Sequence, residues 1–440
     1  MSALAAKLAS KSAWPLAERG LRMAVGMGVT ALVARHLGPG DFGAVAFAMA
    51  WTTFLGGFSW LGLGDTVVRD LVHRPHDRDR LLGTVAVLRG LGSLVSVALA
   101  VGLFPVFYAE QPRSVAVLVW WFAWAAPFSE AAGVPVLWNQ SQGDMRTTVL
   151  TRLIPHLVAQ TLRAACAAGG AALVWFGVLG PVETVLAALA SWGTYLYRLT
   201  PGARPRFDRH LVRPLLHDAL PILGTAVLAT LTMRLDQMML AKFSTLDEVG
   251  YYAAATRFSE IWWSVPGILM QVAGPLVLFG EHDAQRRNHR LAGLYAVLIA
   301  AACLAAGLTI AVAPLAVHWL FGARFASAVP VLTIHVLTAI VVFADAPSIQ
   351  ELIRRGEQRI LLWKGVVTLA TNAALNFWLI PRYGAIGASI ATVASYLAAV
   401  VFAPLAFAQV RDLARMQLGA PLWLLRYGLR RRRLALGRSV

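Results

Sequence analysis

The chain has 440 residues, of which 58% are hydrophobic and only 14% charged, with a net charge of +17 and a mean hydropathy of +0.63. Soluble domains carry roughly 25% charged residues, so a soluble globular protein is excluded, and continuous apolar runs of about 20 residues argue for spanning helices and against a β-barrel. The positive balance does not point to nucleic acid, because the basic residues gather between the apolar spans.

Twelve spans are expected, near 14–34, 41–63, 82–107, 114–137, 150–177, 181–199, 216–241, 250–279, 291–318, 327–350, 360–380 and 384–408. Alternate loops are basic. Lys7 and Lys11 precede the first span. Arg69, Arg74, Arg78 and Arg80 follow the second, and Arg146 and Arg152 the fourth. Arg198, Arg204, Arg206, Arg209 and Arg213 follow the sixth, Arg286, Arg287 and Arg290 the eighth, and Arg354, Arg355, Arg359 and Lys364 the tenth. The other loops hold only Arg35, Arg113, Lys242, Arg324 and Arg382. The positive-inside rule then puts both termini in the cytoplasm. No removable signal peptide is recognisable at the N-terminus. Cys166 and Cys303 lack metal-ligand spacing and read as small core residues. No metal or cofactor is expected.

The two halves echo each other. VARHLGPGDFGAVAFAMA from Val33 aligns with LAKFSTLDEVGYYAAATR from Leu240, GDMR from Gly143 with GEQR from Gly356, and Arg113 with Arg324, in one order and at nearly one spacing. Six spans is an even number, so the repeat is parallel, with a cavity expected between two lobes. The expected organisation is an N-terminal lobe over 1–199, a cytoplasmic linker over 200–215, a C-terminal lobe over 216–408 and a basic cytoplasmic tail over 409–440.

VARHLGPGDFG, RLDQMMLAKFSTLDEVGYYAAATRFSE, LFGARFASAVPVL and LNFWLIPRYGAIGASIATVASYL resemble the polysaccharide transporter (O-antigen flippase) family. That family belongs to the multidrug/oligosaccharidyl-lipid/polysaccharide exporter superfamily. The resemblance covers most of the chain and is thin across 80–135. It implies an all-α, two-lobed, twelve-helix carrier in the bacterial inner membrane. Such a carrier moves lipid-linked oligosaccharide from the cytoplasmic to the outer leaflet, serving O-antigen, lipopolysaccharide or exopolysaccharide synthesis. Membrane lipid, a polysaccharide polymerase and glycosyltransferases are the implied partners. The two further helices usual in lipid-linked peptidoglycan-precursor flippases are not found.

Ionisable residues within spans cost roughly 2.5–3.5 kcal/mol each on insertion scales and need a partner or a cavity. Glu18 and Arg22 sit at i,i+4, and Arg257 and Glu260 at i,i+3, so each pair reads as a local salt bridge. Arg19, Arg89, Arg163 and Arg234 have no acid at helical spacing on their own helix. Arg163 lies near mid-depth of its expected span, whereas Glu183 lies at a span's start. Thr230, Arg234 and Gln237 share a helix face, taken to look into the cavity, while Asp236 points elsewhere and reads as an ion-pair or coupling carboxylate. A pyrophosphate cannot cross hydrocarbon unescorted, and arginine forks pair with phosphate while staying charged. Arg22, Arg89, Arg163, Arg234, Arg257 and Gln237 are therefore the candidate substrate residues, with Asp236, Glu260 and Glu18 as coupling or ion-pair carboxylates.

His156, His318 and His335 have no ligand spacing and read as packed, and Trp262 and Trp263 as interface anchors or sugar platforms. A cation-coupled exporter on the same scaffold is the alternative. A membrane glycosyltransferase would need a large extramembrane loop, which is missing. No phosphate-binding Gly-rich loop is present either, so no enzymatic activity is expected.

Overall fold

A computed structural model describes residues 2–57, 59, 62–198, 205–274 and 283–420. The described residues are helical, with no strand among them. In chain order the helices are α1 (Ser2–Gly56), α2 (Gly64–His73), α3 (Arg78–Phe107), α4 (Arg113–Ala123), α5 (Ala125–Ser141), α6 (Met145–Ala168), α7 (Leu173–Arg198) and α8 (Arg209–Phe243). There follow α9 (Leu246–Gly274), α10 (Ala284–Phe321), α11 (Ala328–His335), α12 (Thr338–Arg355) and α13 (Gln358–Ala406). A last helix, α14, covers 411–420. Part of the expected linker and the tail beyond 420 lie outside the described residues.

Glycine and proline set the breaks. Within α1 the helical path is broken at Gly38 (φ 78°, ψ 175°), between the first two expected spans. Within α13 it is broken at Gly384 (φ 52°, ψ −132°), the first residue of the last expected span. Both conformations are open to glycine and costly for other residues. The fourth span is divided at Trp124, three residues before Pro127, whose missing N–H cannot reach back into the preceding turn. Its counterpart in the second half is divided too, between His335 and Thr338. Gly143 (φ 68°) and Gly356 (φ 75°), matched in the sequence, both take the left-handed conformation that ends a helix. The repeat thus recurs in backbone devices as well as in residues.

One boundary differs from expectation. The fifth span was expected to reach 177, but α6 ends at Ala168 and α7 begins at Leu173. Gly169 and Gly170 (φ 72°) terminate the helix, and the Ala171 N–H closes back on the Cys166 carbonyl at 2.9 Å. This shift moves Glu183 from a span's start to the interior of α7.

Six helical stretches among the described residues are long and apolar enough to cross a membrane: 75–107, 113–141, 173–198, 285–321, 328–355 and 358–406. Their apolar surface is sided. On α3, Ser93, Ser96, Val97, Ala100 and Phe104 are buried, while Leu91, Leu94 and Val95 are more than half exposed. On α10, Tyr295, Leu298 and Ala302 are buried while Val297, Leu304, Leu308 and Leu315 are exposed. Such faces would aggregate in water and are natural in lipid. Cys303 is exposed on α10 rather than in a core.

By contacts the chain divides into two units, Met1–Lys242 and Phe243–Val440. The division falls one helix beyond the expected linker because the end of α8 is fastened to the α3–α4 turn. Tyr108 Oη donates to the Met238 carbonyl (3.0 Å) and Gln111 Nε2 to that of Ala241 (2.7 Å). Lys242 Nζ donates to Glu110 (2.6 Å) and to the Phe107 carbonyl (2.8 Å). The bonds to Ala241 and Phe107 satisfy carbonyls that a helix end leaves unpaired. The Lys242 ammonium holds the Glu110 carboxyl below its ordinary value. A carboxyl with a depressed folded pKa adds stability above its unfolded pKa and loses it as pH falls through the folded one. The melting-temperature gap between wild type and Glu110→Gln should therefore close on acidification from about pH 7 to about pH 3. A gap independent of pH would contradict the pairing.

In the second unit, Val410 just before α14, Leu413 within it and Ala420 at its end are buried against Phe343, Leu352 and Ala403. Arg355 bridges Glu351 (2.8 Å) and Asp412 (2.5 Å). Gln417 donates to the Ala344 carbonyl and to Ser348 Oγ, both at 2.9 Å. The segment 409–420, the first part of the expected basic cytoplasmic tail, is docked on α12 and α13.

Candidate functional site

Polar side chains from α1, α6 and α7 meet inside the first unit. Glu183 on α7 is the hub. Its Oε1 lies 2.9 Å from His156 Nδ1 and 3.6 Å from Arg22 Nη2, and its Oε2 lies 3.2 Å from Arg163 Nη1. Arg22 also pairs with Glu18 at 3.7 Å, the expected i,i+4 bridge. Arg163 reaches the Leu179 carbonyl at 3.5 Å. Two guanidiniums thus face two carboxylates, with an imidazole as the fifth member. The cluster is partly open: side-chain exposure is 33% at Arg22 and 21% at both Arg163 and Glu183. His156 is buried, and its Nε2 makes no hydrogen bond among the described residues.

Arg22, Glu18 and Arg163 were expected in the site, but Glu183, the common partner of the two arginines, was not. It left His156 as a packed histidine. The Gly169-Gly170 helix stop is the signal that would have found them, because it sets the register of α7. Arg163 lies in the last turns of α6 rather than near its middle, and it is ion-paired.

Arg89 differs from expectation. Instead of facing hydrated space it is 3% exposed, on α3 against α5. Its Nη1 lies 3.5 Å from Glu130 Oε2, and Ser59 Oγ donates to Glu130 Oε1 at 3.2 Å. A Cβ on Gly133 would come within 2.6 Å of Arg89 Nη1, so glycine there makes room for the guanidinium. This is a buried structural pair.

On α8, Arg234 is half-buried and forms no ion pair among the described residues, whereas Asp236 and Gln237 are buried. Gln237 therefore does not share the openness expected of its face. In the second unit Arg257 is exposed and Glu260 half-buried. Trp263 stacks on His335 (5.6 Å between centroids, 15° between planes), and Trp262 Nε1 donates to Thr309 Oγ1 at 3.1 Å. These rings are engaged in packing. Lys364 and Asp345, on α13 and α12, form an ion pair that spacing along one helix could not reveal.

The helices define a polytopic membrane protein with the fold of the MOP superfamily. The chain superposes on the lipid II flippase MurJ in an inward closed conformation with a TM-score of 0.72, at 13% identity, covering 93% of this chain and 91% of that one. It superposes on an inward-facing multidrug resistance MATE family transporter of the MOP superfamily at 0.70, with 14% identity and coverage of 90% and 96%. At the level of sequence, the family described as polysaccharide biosynthesis protein matches residues 8–277, more than half of the chain, and the chain belongs to that family. A similar relative is the succinoglycan biosynthesis transport protein ExoT of Rhizobium meliloti (strain 1021), 27% identical over 378 residues, which span 82% of this chain and 70% of that protein. The expectation of a membrane transporter in polysaccharide biosynthesis, rather than an enzyme, agrees with these relatives.

Proposed function

We propose that the protein moves polyprenyl-pyrophosphate-linked oligosaccharide from the cytoplasmic to the outer leaflet of the bacterial inner membrane by alternating access. In this reading the chain crosses the membrane twelve times with both termini in the cytoplasm. The observation that carries the proposal is the convergence of Arg22 and Arg163, from two helices, on one partly open polar site within an otherwise apolar bundle. Guanidiniums so placed can take the phosphate oxygens of a lipid-linked sugar, while the sugars follow a wet route and the polyprenyl chain stays in lipid. Arg234 adds a positive group on α8. The transport role in the name of the R. meliloti relative supports a polysaccharide precursor as cargo. Adjacent genes for glycosyltransferases and a polymerase would fit the same reading.

Reconstitution tests it. Purified protein in sealed vesicles should expose a fluorescent polyprenyl-pyrophosphate oligosaccharide to an impermeant glycosidase faster than protein-free vesicles do. Export of a cationic dye with no movement of the lipid-linked sugar would reassign the protein to small-molecule export.

A further inference from the structure

We infer that Glu183 is a resident counter-anion of the proposed site: its carboxylate occupies Arg22, Arg163 and His156 when no substrate is bound, and only a polyanionic head group displaces it. The inference rests on the pyrophosphate reading above and goes beyond it by assigning Glu183 the site's selectivity.

Three observations support it. First, the carboxylate is gripped as a bound anion would be. One oxygen faces His156 at 2.9 Å and Arg22 at 3.6 Å, the other faces Arg163 at 3.2 Å, and the partners come from α1 and α6 while Glu183 comes from α7. Second, formal charges cancel. Arg22 and Arg163 are matched by Glu18 and Glu183, so these four side chains together carry no net formal charge, and the arginines tolerate an apolar bundle. Third, the cluster is accessible where the Arg89–Glu130 pair is not. Arg22, Arg163 and Glu183 keep 21–33% of their side-chain surface, against 4% and 11% for Arg89 and Glu130. A sealed pair suits a structural role, and an open one suits exchange.

The consequence is selective. A tethered carboxylate competes intramolecularly, at an effective concentration that free anions cannot match. A lipid with a single phosphate replaces one anionic group by one and gains little. A pyrophosphate brings two charged groups and can bridge Arg22 and Arg163 at once. The same competitor lets go of nothing permanently: when Glu183 returns, it expels the head group, as transport requires of a site that must be left as well as entered.

The test is binding of geranylgeranyl pyrophosphate and geranylgeranyl monophosphate to the full chain in neutral-lipid nanodiscs, by calorimetry, for wild type and Glu183→Gln. Wild type should prefer the pyrophosphate. Glu183→Gln should bind the pyrophosphate about tenfold tighter than wild type does and show a larger gain for the monophosphate, so that the preference shrinks, while vesicle transport slows. A merely structural Glu183 would give weaker or unchanged binding, and that result overturns the inference. If Glu183→Gln does not fold, Glu18→Gln removes the other negative charge beside Arg22 and should tighten pyrophosphate binding about threefold; no gain there overturns it as well. Wild type that binds neither lipid overturns the pyrophosphate site itself, whereas wild type that binds and a variant that gains nothing overturns only the role of Glu183.

Discussion

Glu130→Ala should destabilise the protein by about 3–5 kcal/mol, the range for removing one partner of a buried ion pair. The reason is Arg89. Its guanidinium is 3% exposed, and its Nε and Nη2 make no hydrogen bond among the described residues, so Glu130 is its compensating charge. Alanine at 130 leaves a permanent cation enclosed between α3 and α5. It also takes away the acceptor of Ser59 Oγ. Thermal unfolding in detergent should show the loss, and the double variant Arg89→Met/Glu130→Leu should recover most of it, since an apolar pair of similar volume needs no compensation. If the double variant were as unstable as Glu130→Ala, the charge would not be the cause. Nothing in this pair faces open space, so the effect should be on folding and yield rather than on substrate affinity.

The second large effect is expected at Gly384. Its backbone (φ 52°, ψ −132°) lies outside the regions favoured by L-residues. A Cβ there would meet Glu248 Oε2 at 2.5 Å and Cδ at 2.7 Å. Glu248 cannot simply withdraw, because its Oε2 accepts the Ala385 N–H at 2.7 Å. A carboxylate at that position meets an otherwise orphaned amide where the helix restarts. Gly384→Val combines backbone strain of about 1–3 kcal/mol with disruption of a charge-assisted bond worth about 1.5–3 kcal/mol. Expression in membranes and the melting temperature should both fall sharply. Gly384→Ala/Glu248→Ala should lose less than the sum of its single changes, because the clash and the bond share one carboxylate; strict additivity would argue against that coupling.

Both sites bear on what the sequence could reveal. The apolar runs on either side of the Gly384 break were legible, since spans follow from local chemistry, but Gly384 itself was taken as the first residue of the last span. The matching of Gly143 with Gly356 was legible too, whereas the division of the fourth span, expected to run unbroken over 114–137, was not. Ion partners were not. Arg163 and Glu183 lie on different helices, as do Arg89 and Glu130, and Lys364 and Asp345. Helical spacing reports neighbours on one helix only, so it recovered Glu18–Arg22 and left the others as lone charges. The hub was hidden further by a boundary. Running the fifth span through Gly169 and Gly170 put Glu183 at a membrane surface, where a carboxylate needs no explanation. Once the glycines end α6, Glu183 lies inside α7 and calls for partners. The docking of α14 escaped because the basic residues after 420 dominate that segment's composition, while Leu413 and Ala420 carry its packing.

The central claim is that Arg22 and Arg163 receive the pyrophosphate of a lipid-linked sugar. The most direct test is leaflet-to-leaflet movement of that lipid in vesicles holding equal amounts of wild type, Arg22→Ala, Arg163→Ala or the double variant. Each single change should slow movement at least tenfold, and the double variant should fall to the protein-free rate. Movement at the wild-type rate by a correctly folded double variant would contradict the claim.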